Sequence, residues 1–144
     1  MNILDLIKSN TKCLSLGTLP DDLIAFVTDK DPQIGSLLAK KKDILFWKDR
    51  LQHIELHKDD FFSDALYLTC LEDIPDIICQ PDYVSIHPKR NSISFIKTYT
   101  QNISVAVRIT TDGRLAVRTM YPITDAQLSD YLIKKRAWEY PKEI

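Results

Sequence analysis

Glycine is nearly missing from this chain, with 3 in 144 residues, which excludes collagen-like and flexible-linker sequences. Cysteine is as scarce. Cys13, Cys70 and Cys79 form an odd, scattered set without a C-x-x-C pair, so neither a zinc nor a redox motif is indicated and reduced thiols are expected. Long apolar runs are absent too: nothing reaches the roughly 18 uninterrupted apolar residues that span a bilayer. Asp5 breaks up the apolar N-terminus, which has no cationic start followed by an apolar run, as a secretory signal would. The expectation is a soluble protein of a reducing cytosol with no membrane contact. Charge of one sign is also lacking, because 19 Lys plus Arg against 20 Asp plus Glu leave −1. Taken whole, that figure speaks against a nucleic-acid partner attracted by bulk basicity.

What is present suffices for one compact domain over residues 1–144. Hydrophobic residues make up 44% and charged ones 27%, too apolar for a disordered chain and enough for a core without covalent staples. The near-neutral charge is a sum of opposites. Residues 1–82 hold 9 Lys/Arg against 15 Asp/Glu, a net of −6, whereas residues 83–136 hold 9 against 3, a net of +6. Such asymmetry suits a polyanion site or an acidic segment shielding a basic one, and equally a mixed solvated surface.

Along the chain, Cys13 to Leu19 alternates and stops at Pro20, as a short strand does. Pro20-Asp21-Asp22 then opens a short helix with Leu23, Ile24, Phe26 and Val27 inside. Residues 29–42 read as a polar segment broken at Asp31-Pro32 and ending in the solvated run Lys40-Lys41-Lys42. A helix through Lys48–His57 buries Trp47, Leu51, Ile54 and Phe61 and aligns Arg50, His53 and His57 on a second stripe at the margin of the core. Further helical turns follow over about 64–72 and 76–82. From Tyr83 the period becomes two: strands at 83–87, 92–99, 103–111 and 114–121 predict a four-stranded antiparallel meander, closed by a C-terminal helix over 124–136. The fold class is therefore α+β, with N-terminal helices packed on that meander.

Asp112-Gly113 is the strongest turn signal, a two-residue type I′ hairpin. Pairing Thr111 with Arg114 sets Val107 opposite Arg118 and Ala106 opposite Thr119. One face then shows Val105, Val107, Ile109, Ala116 and Met120, and the other Arg108, Thr110, Thr119 and Tyr121. A guanidinium, a hydroxyl and a phenol together can clamp a phosphate, and they also compose an ordinary solvated sheet face. Arg118 points away in this register unless a bulge reverses it. The two helix histidines stand at i and i+4 but as His-Ile-Glu-Leu-His, with Glu55 displaced from the position a zinc protease's base occupies, so a metal site is weakly indicated. His87-Pro88-Lys89-Arg90 is a cationic loop suited to phosphate contact or to plain exposure.

Taken in order, Arg50-Leu-Gln-His-Ile-Glu-Leu-His57, Ile74-Pro-Asp-Ile-Ile-Cys-Gln-Pro-Asp-Tyr83, Asn91-Ser-Ile-Ser-Phe-Ile-Lys97, Val105-Ala-Val-Arg108 and Arg118-Thr-Met-Tyr121 resemble the phage-associated nuclease domains of the Barnase/EndoU/colicin/RelE-like group, PBECR. The similarity covers roughly residues 14–136. It implies a BECR-like RNase fold and a cofactor-free, metal-independent endoribonuclease of prophage or toxin type acting in the cytoplasm. Its substrate would be transfer, ribosomal or messenger RNA, and an immunity or antitoxin protein is a possible partner. Carried over by position, His53 or His57 would exchange protons, a role that an unperturbed pKa near 6.5 suits. Arg108 would stabilise the pentavalent phosphorus, with Thr119 and Tyr121 orienting an oxygen or relaying a proton. Arg50, Lys89, Arg90 and Arg118 would hold the substrate, and Tyr83 or Tyr99 would stack a base or pack the sheet. The rival expectation is an inactive member of the fold that binds RNA or a protein.

Overall fold

In the computed structural model, which describes residues 1–141, the acidic half is mostly helical. It runs α1 (Ile3–Leu6), β1 (Cys13–Ser15), α2 (Asp21–Lys30), α3 (Pro32–Leu38), β2 (Ile44–Trp47), α4 (Arg50–Glu55), α5 (Asp64–Glu72) and α6 (Ile74–Cys79). The basic half supplies β3 (Tyr83–His87), β4 (Ser92–Thr98), β5 (Asn102–Ile109), β6 (Leu115–Ile123) and α7 (Asp125–Ile133), followed by β7 (Ala137–Glu139); a single 3₁₀ turn lies in each half, at Lys58–Asp60 and Pro88–Arg90.

The four period-two segments pair as consecutive antiparallel neighbours, β3 to β6, but the sheet has seven strands rather than four, in the order β1-β2-β6-β5-β4-β3-β7. The extra strands are three or four residues long. β1 falls within the alternating stretch expected as a strand, whereas runs as short as β2 and β7 show no usable period, and their extended form is fixed by pairing rather than by their own sequence. β7 covers β3 past the C-terminal helix, while β2 lies parallel to β6 for only two pairs, Ile44 with Leu115 and Leu45 with Ala116.

Two other expectations change. Residues 32–38 are a helix, because Asp31 caps it by accepting from the Ile34 N–H at 3.0 Å and Pro32 occupies the first turn, where a missing N–H costs nothing. The histidine helix is shorter than the expected Lys48–His57, running Arg50–Glu55 so that His57 sits in the turn after it, and Trp47 ends a strand and is 46% exposed instead of buried. Ile54 and Phe61 do enter the core.

One sheet face carries Val84, Ile86, Ile93, Phe95, Val105, Val107, Ile109 and Met120 against Leu23, Val27, Leu38, Ile54, Leu71, Ile74 and Ile77 of the helices. The opposite face bears mostly small side chains on its middle strands. There the register aligns His87, Ser92, Arg108 and Ala116 in one row, then Ser85, Ser94, Ala106 and Thr119, then Tyr83, Ile96, Ser104 and Tyr121. A second, smaller cluster closes the far end, where Ile96, Ile123 and Leu128 pack with Tyr83, Tyr121, Tyr131 and Leu132.

The β5–β6 hairpin departs twice from its predicted register. Its loop has three residues: Gly113 N–H donates to the Thr110 carbonyl, Thr110 N–H to the Arg114 carbonyl, and the positive φ sits on Gly113 alone, at 85°. That is a type I turn followed by a left-handed residue. Val107 consequently opposes Val117, and Ala116 opposes Arg108 on the small-residue face instead of joining Val105. A bulge between Ala106 and Val107 then absorbs Arg118 and restores Ala106 opposite Thr119. The two departures cancel beyond Arg118, so Thr119 and Tyr121 keep their expected face and Arg118 is exposed there with them.

Candidate functional site

After two pairs with β6, β2 diverges and the chain turns into α4, which packs along the β6 edge left open beyond the bulge. That placement brings the histidine stripe to the small-residue face. The His57 ring lies 5.6 Å from the Tyr121 ring, tilted by 42°, and 6.0 Å edge-to-face from His53. Arg50 Nε donates to the Arg118 carbonyl at 2.8 Å. Arg50 is thus a clamp on the bulge as well as a candidate substrate contact. A shallow cavity of about 330 Å³ opens there, lined by Trp47, Asp49, Arg50, Arg108, Ala116, Val117 and Arg118.

Charge and burial tune the group. Burial, together with the Arg50, His57 and Arg118 charges, holds the exposed His53 imidazole below its ordinary pKa. His57 Nδ1 is 3.6 Å from the Asp60 carboxylate, an ion pair whenever the ring is protonated. Burial and the neighbouring Tyr131 push the Tyr121 phenol up, against a hydrogen bond with Ser104 and the charge of Arg90, so the phenol stays a proton carrier at neutral pH.

Across the face stands a second polar group. Ser85, fully buried on β3, donates its hydroxyl hydrogen to the Arg136 carbonyl at 2.9 Å and lies 3.2 Å from His87 Nε2. Burial, Arg90 and Arg136 hold the His87 imidazole below its usual pKa. The structure therefore strings Arg108, Arg118, Arg50, His53, His57 and Tyr121 along the β6 side of this face, Arg108 two rows before Tyr121, with Arg90 within electrostatic reach of both Tyr121 and His87. Lys89 is exposed beside Arg90 without a side-chain interaction with the group among the described residues. The Thr119 hydroxyl has the expected face but is sealed from solvent and has no hydrogen-bond partner among the described residues. It does not offer a phosphate oxygen a contact, because the neighbouring side chains close over it. Tyr99 is removed from base stacking: its hydroxyl donates to Asp73 at 2.8 Å, on the helical side of the sheet. Tyr83 packs in the smaller cluster.

Sequence reasoning missed Ser104, Ser85, Arg136 and Trp47. The two serines stand in register beside Tyr121 and His87, which strand alternation could have exposed, whereas Arg136 and Trp47 arrive through edge pairing, which no local period reports. A larger cavity, about 670 Å³, lies elsewhere, between α1, α4 and α5, with an apolar lining that includes Ile7, Trp47, Leu51 and Leu68. Size alone would favour it as the site, but it holds none of the histidines or arginines. No group of three or more His, Cys, Asp or Glu suited to a metal ion occurs among the described residues, and none of their helices is long and apolar enough to cross a membrane.

A mixed α+β fold that sets histidine, tyrosine and arginine around a small-residue sheet face defines a nuclease-like class. The chain belongs to the phage-Barnase-EndoU-ColicinE5/D-RelE like nuclease 3 family, PBECR3, whose model matches residues 27–130. No curated protein and no solved structure matches it.

Proposed function

We propose that this protein is a metal-independent endoribonuclease that cuts RNA by attack of the 2′-hydroxyl on the adjacent phosphorus. The observation that carries this reading is the convergence at the β6 bulge: the His57 ring faces Tyr121 at 5.6 Å where Arg118, turned outward, joins Arg108. Arg108 and Arg118 present planar donors to the phosphate and stabilise the charge that accumulates on its equatorial oxygens. His57, steadied by Asp60, takes the 2′-hydroxyl proton as the 2′-oxygen bonds to phosphorus and returns it to the departing 5′-oxygen, and Tyr121, kept protonated, orients a phosphate oxygen. Trp47, exposed beside the arginines, supplies a surface on which a base can stack. Arg50 sets the bulge, and Arg90 with Lys89 extends the cationic track along the face. Side chains at hand thus cover proton transfer and charge stabilisation. The family's phage association suits a toxin-type activity acting on host RNA in the cytoplasm, held in check by an immunity or antitoxin protein.

Purified protein should cleave tRNA or mixed RNA in the presence of a chelator, leaving 2′,3′-cyclic phosphate ends. His57→Ala should lower the rate by about 10²- to 10⁴-fold, the usual weight of one acid–base group, and His53→Ala far less, because His53 stands farther out on the helix. RNA binding without turnover would favour a non-catalytic binding module instead. Cleavage unaffected by H57A would remove the helix histidine from the chemistry.

A further inference from the structure

His57 and Asp60 stand at the two ends of one 3₁₀ turn between α4 and α5. So short a turn has little of its own to hold a carboxylate against an imidazole. A side chain distant in sequence holds it instead. Gln101, in the three-residue loop between β4 and β5, spans the segment that leaves the turn. Its amide N–H donates to the Asp60 carbonyl at 3.0 Å, and its amide oxygen accepts from the Phe62 N–H at 2.8 Å. Phe61 between them is extended, with φ −79° and ψ 146°, so those two backbone groups point the same way, as they would toward a neighbouring strand. With its donor and its acceptor both engaged, the glutamine amide fixes the two peptide groups that flank Phe61.

The loop that carries Gln101 is itself pinned. Tyr99 N–H closes it by donating to the Gln101 carbonyl at 2.8 Å. Thr98 N–H donates to the Asp82 carboxylate and the Tyr99 hydroxyl to Asp73, each at 2.8 Å. Asn102, buried, donates its amide to Asp125 at 2.7 Å and accepts from the Thr98 hydroxyl at 3.0 Å. A side chain on this loop is therefore fixed relative to the sheet, and it transmits that position to the turn. The consequence reaches the histidine. The Asp60 carboxylate is kept 3.6 Å from His57 Nδ1, and a negative charge there favours the proton on Nδ1, leaving Nε2 to take up and return the 2′-hydroxyl proton.

We propose that Gln101 is a positioning residue of this site, acting on His57 through Asp60. The proposal rests on the ribonuclease reading, in which His57 carries the proton from the 2′-oxygen to the 5′-oxygen. Without the amide, the Asp60 backbone is free to turn and its carboxylate to leave Nδ1, so fewer molecules hold the imidazole as the reaction needs it. The rate within the bound complex falls. The hold of Arg108 and Arg118 on the phosphate does not change, because Gln101 makes no contact with either.

The test is a double-mutant cycle on cleavage of a ribo-oligonucleotide of mixed sequence, with its fully 2′-deoxy counterpart as the binding probe. Gln101→Ala and Asp60→Ala should each lower kcat by about 10- to 100-fold, the cost of a misplaced catalytic group. KM and affinity for the deoxy strand should stay within about twofold. The double variant should be within about twofold of D60A alone, because the amide then has no carboxylate left to position. Effects that multiply would show Gln101 acting independently of Asp60 and would overturn the proposal, as would Q101A or D60A that cleaves at the wild-type rate. Wild-type protein that leaves the RNA intact would overturn the ribonuclease reading itself. Should Q101A not fold, Gln101→Met, which fills similar space without the amide, carries the same cycle with the same outcomes.

Discussion

Thr119 occupies a costly position. A buried hydroxyl without a partner forfeits its hydrogen bonds to water, a penalty of about 1–3 kcal/mol, and this one is enclosed on the face that carries the candidate site. Valine has nearly the same shape and suits a strand. Thr119→Val should therefore stabilise the protein by about 1 kcal/mol, read as a rise of a few degrees in melting temperature, and leave RNA cleavage within about twofold. A loss of activity in T119V would instead show the hydroxyl becoming accessible in the complex. At this scale the sequence was informative where a residue's direction follows from period: Arg108, Thr119 and Tyr121 were assignable to one face by alternation, and Arg50, His53 and His57 to one stripe by helical spacing. It was uninformative where direction depends on a distant partner. Trp47 looked like core because its neighbours are apolar, yet it ends an edge strand and faces water beside Arg108. The sealing of the Thr119 hydroxyl is likewise a product of packing, which alternation does not report.

The elements show the same division. α3 was hidden by its own start signal, because Asp31-Pro32 reads as a break when it is a cap followed by a first-turn proline. The helix is held against α2 at Gly35, where an added Cβ would sit 2.5 Å from the Thr28 Cα and 2.2 Å from its hydroxyl oxygen. Backbone cannot yield as a flexible side-chain tip does. Gly35→Ala should thus push α3 off α2 and cost about 1–3 kcal/mol, as overpacking does, despite alanine's better helix propensity. Denaturant melts should show the loss, and kcat of the folded fraction should stay unchanged, since α2 and α3 pack on the sheet face opposite the candidate site. The hairpin teaches a subtler lesson. Two irregularities, a three-residue loop that was not expected and a bulge that had been left open for Arg118, compensated so that Ala106 still opposes Thr119. Between them, Ala116 and Arg118 moved to the small-residue face, which is what brings Arg118 to Arg108.

For the whole molecule, the net charge of −1 conceals a separation in space. The acidic segments fold largely into helices, α2, α5 and α6 among them, whose apolar residues pack on one side of the sheet, while the exposed guanidiniums of Arg90, Arg108 and Arg118 belong to the other. Asp49 and Asp60 bring negative charge to the site from α4 and its neighbouring turn, so the field over the face is local rather than broad. RNA affinity should reflect that. Each phosphate neutralised on a single strand contributes a slope of about −0.7 to a plot of log K against log salt, so the three exposed arginines with Lys89 predict a total near −3. A fourfold rise in salt should then weaken binding by about 60-fold, where a protein touching six to ten phosphates would lose about 10³- to 10⁵-fold. Arg108→Ala should reduce the slope by about 0.7, because it removes one phosphate contact and leaves the others in place. Titration of the protein against the 2′-deoxy strand at several salt concentrations measures both quantities. A slope steeper than about −4 would mean that RNA engages far more of the surface than the candidate site, and that the acidic half does not confine it.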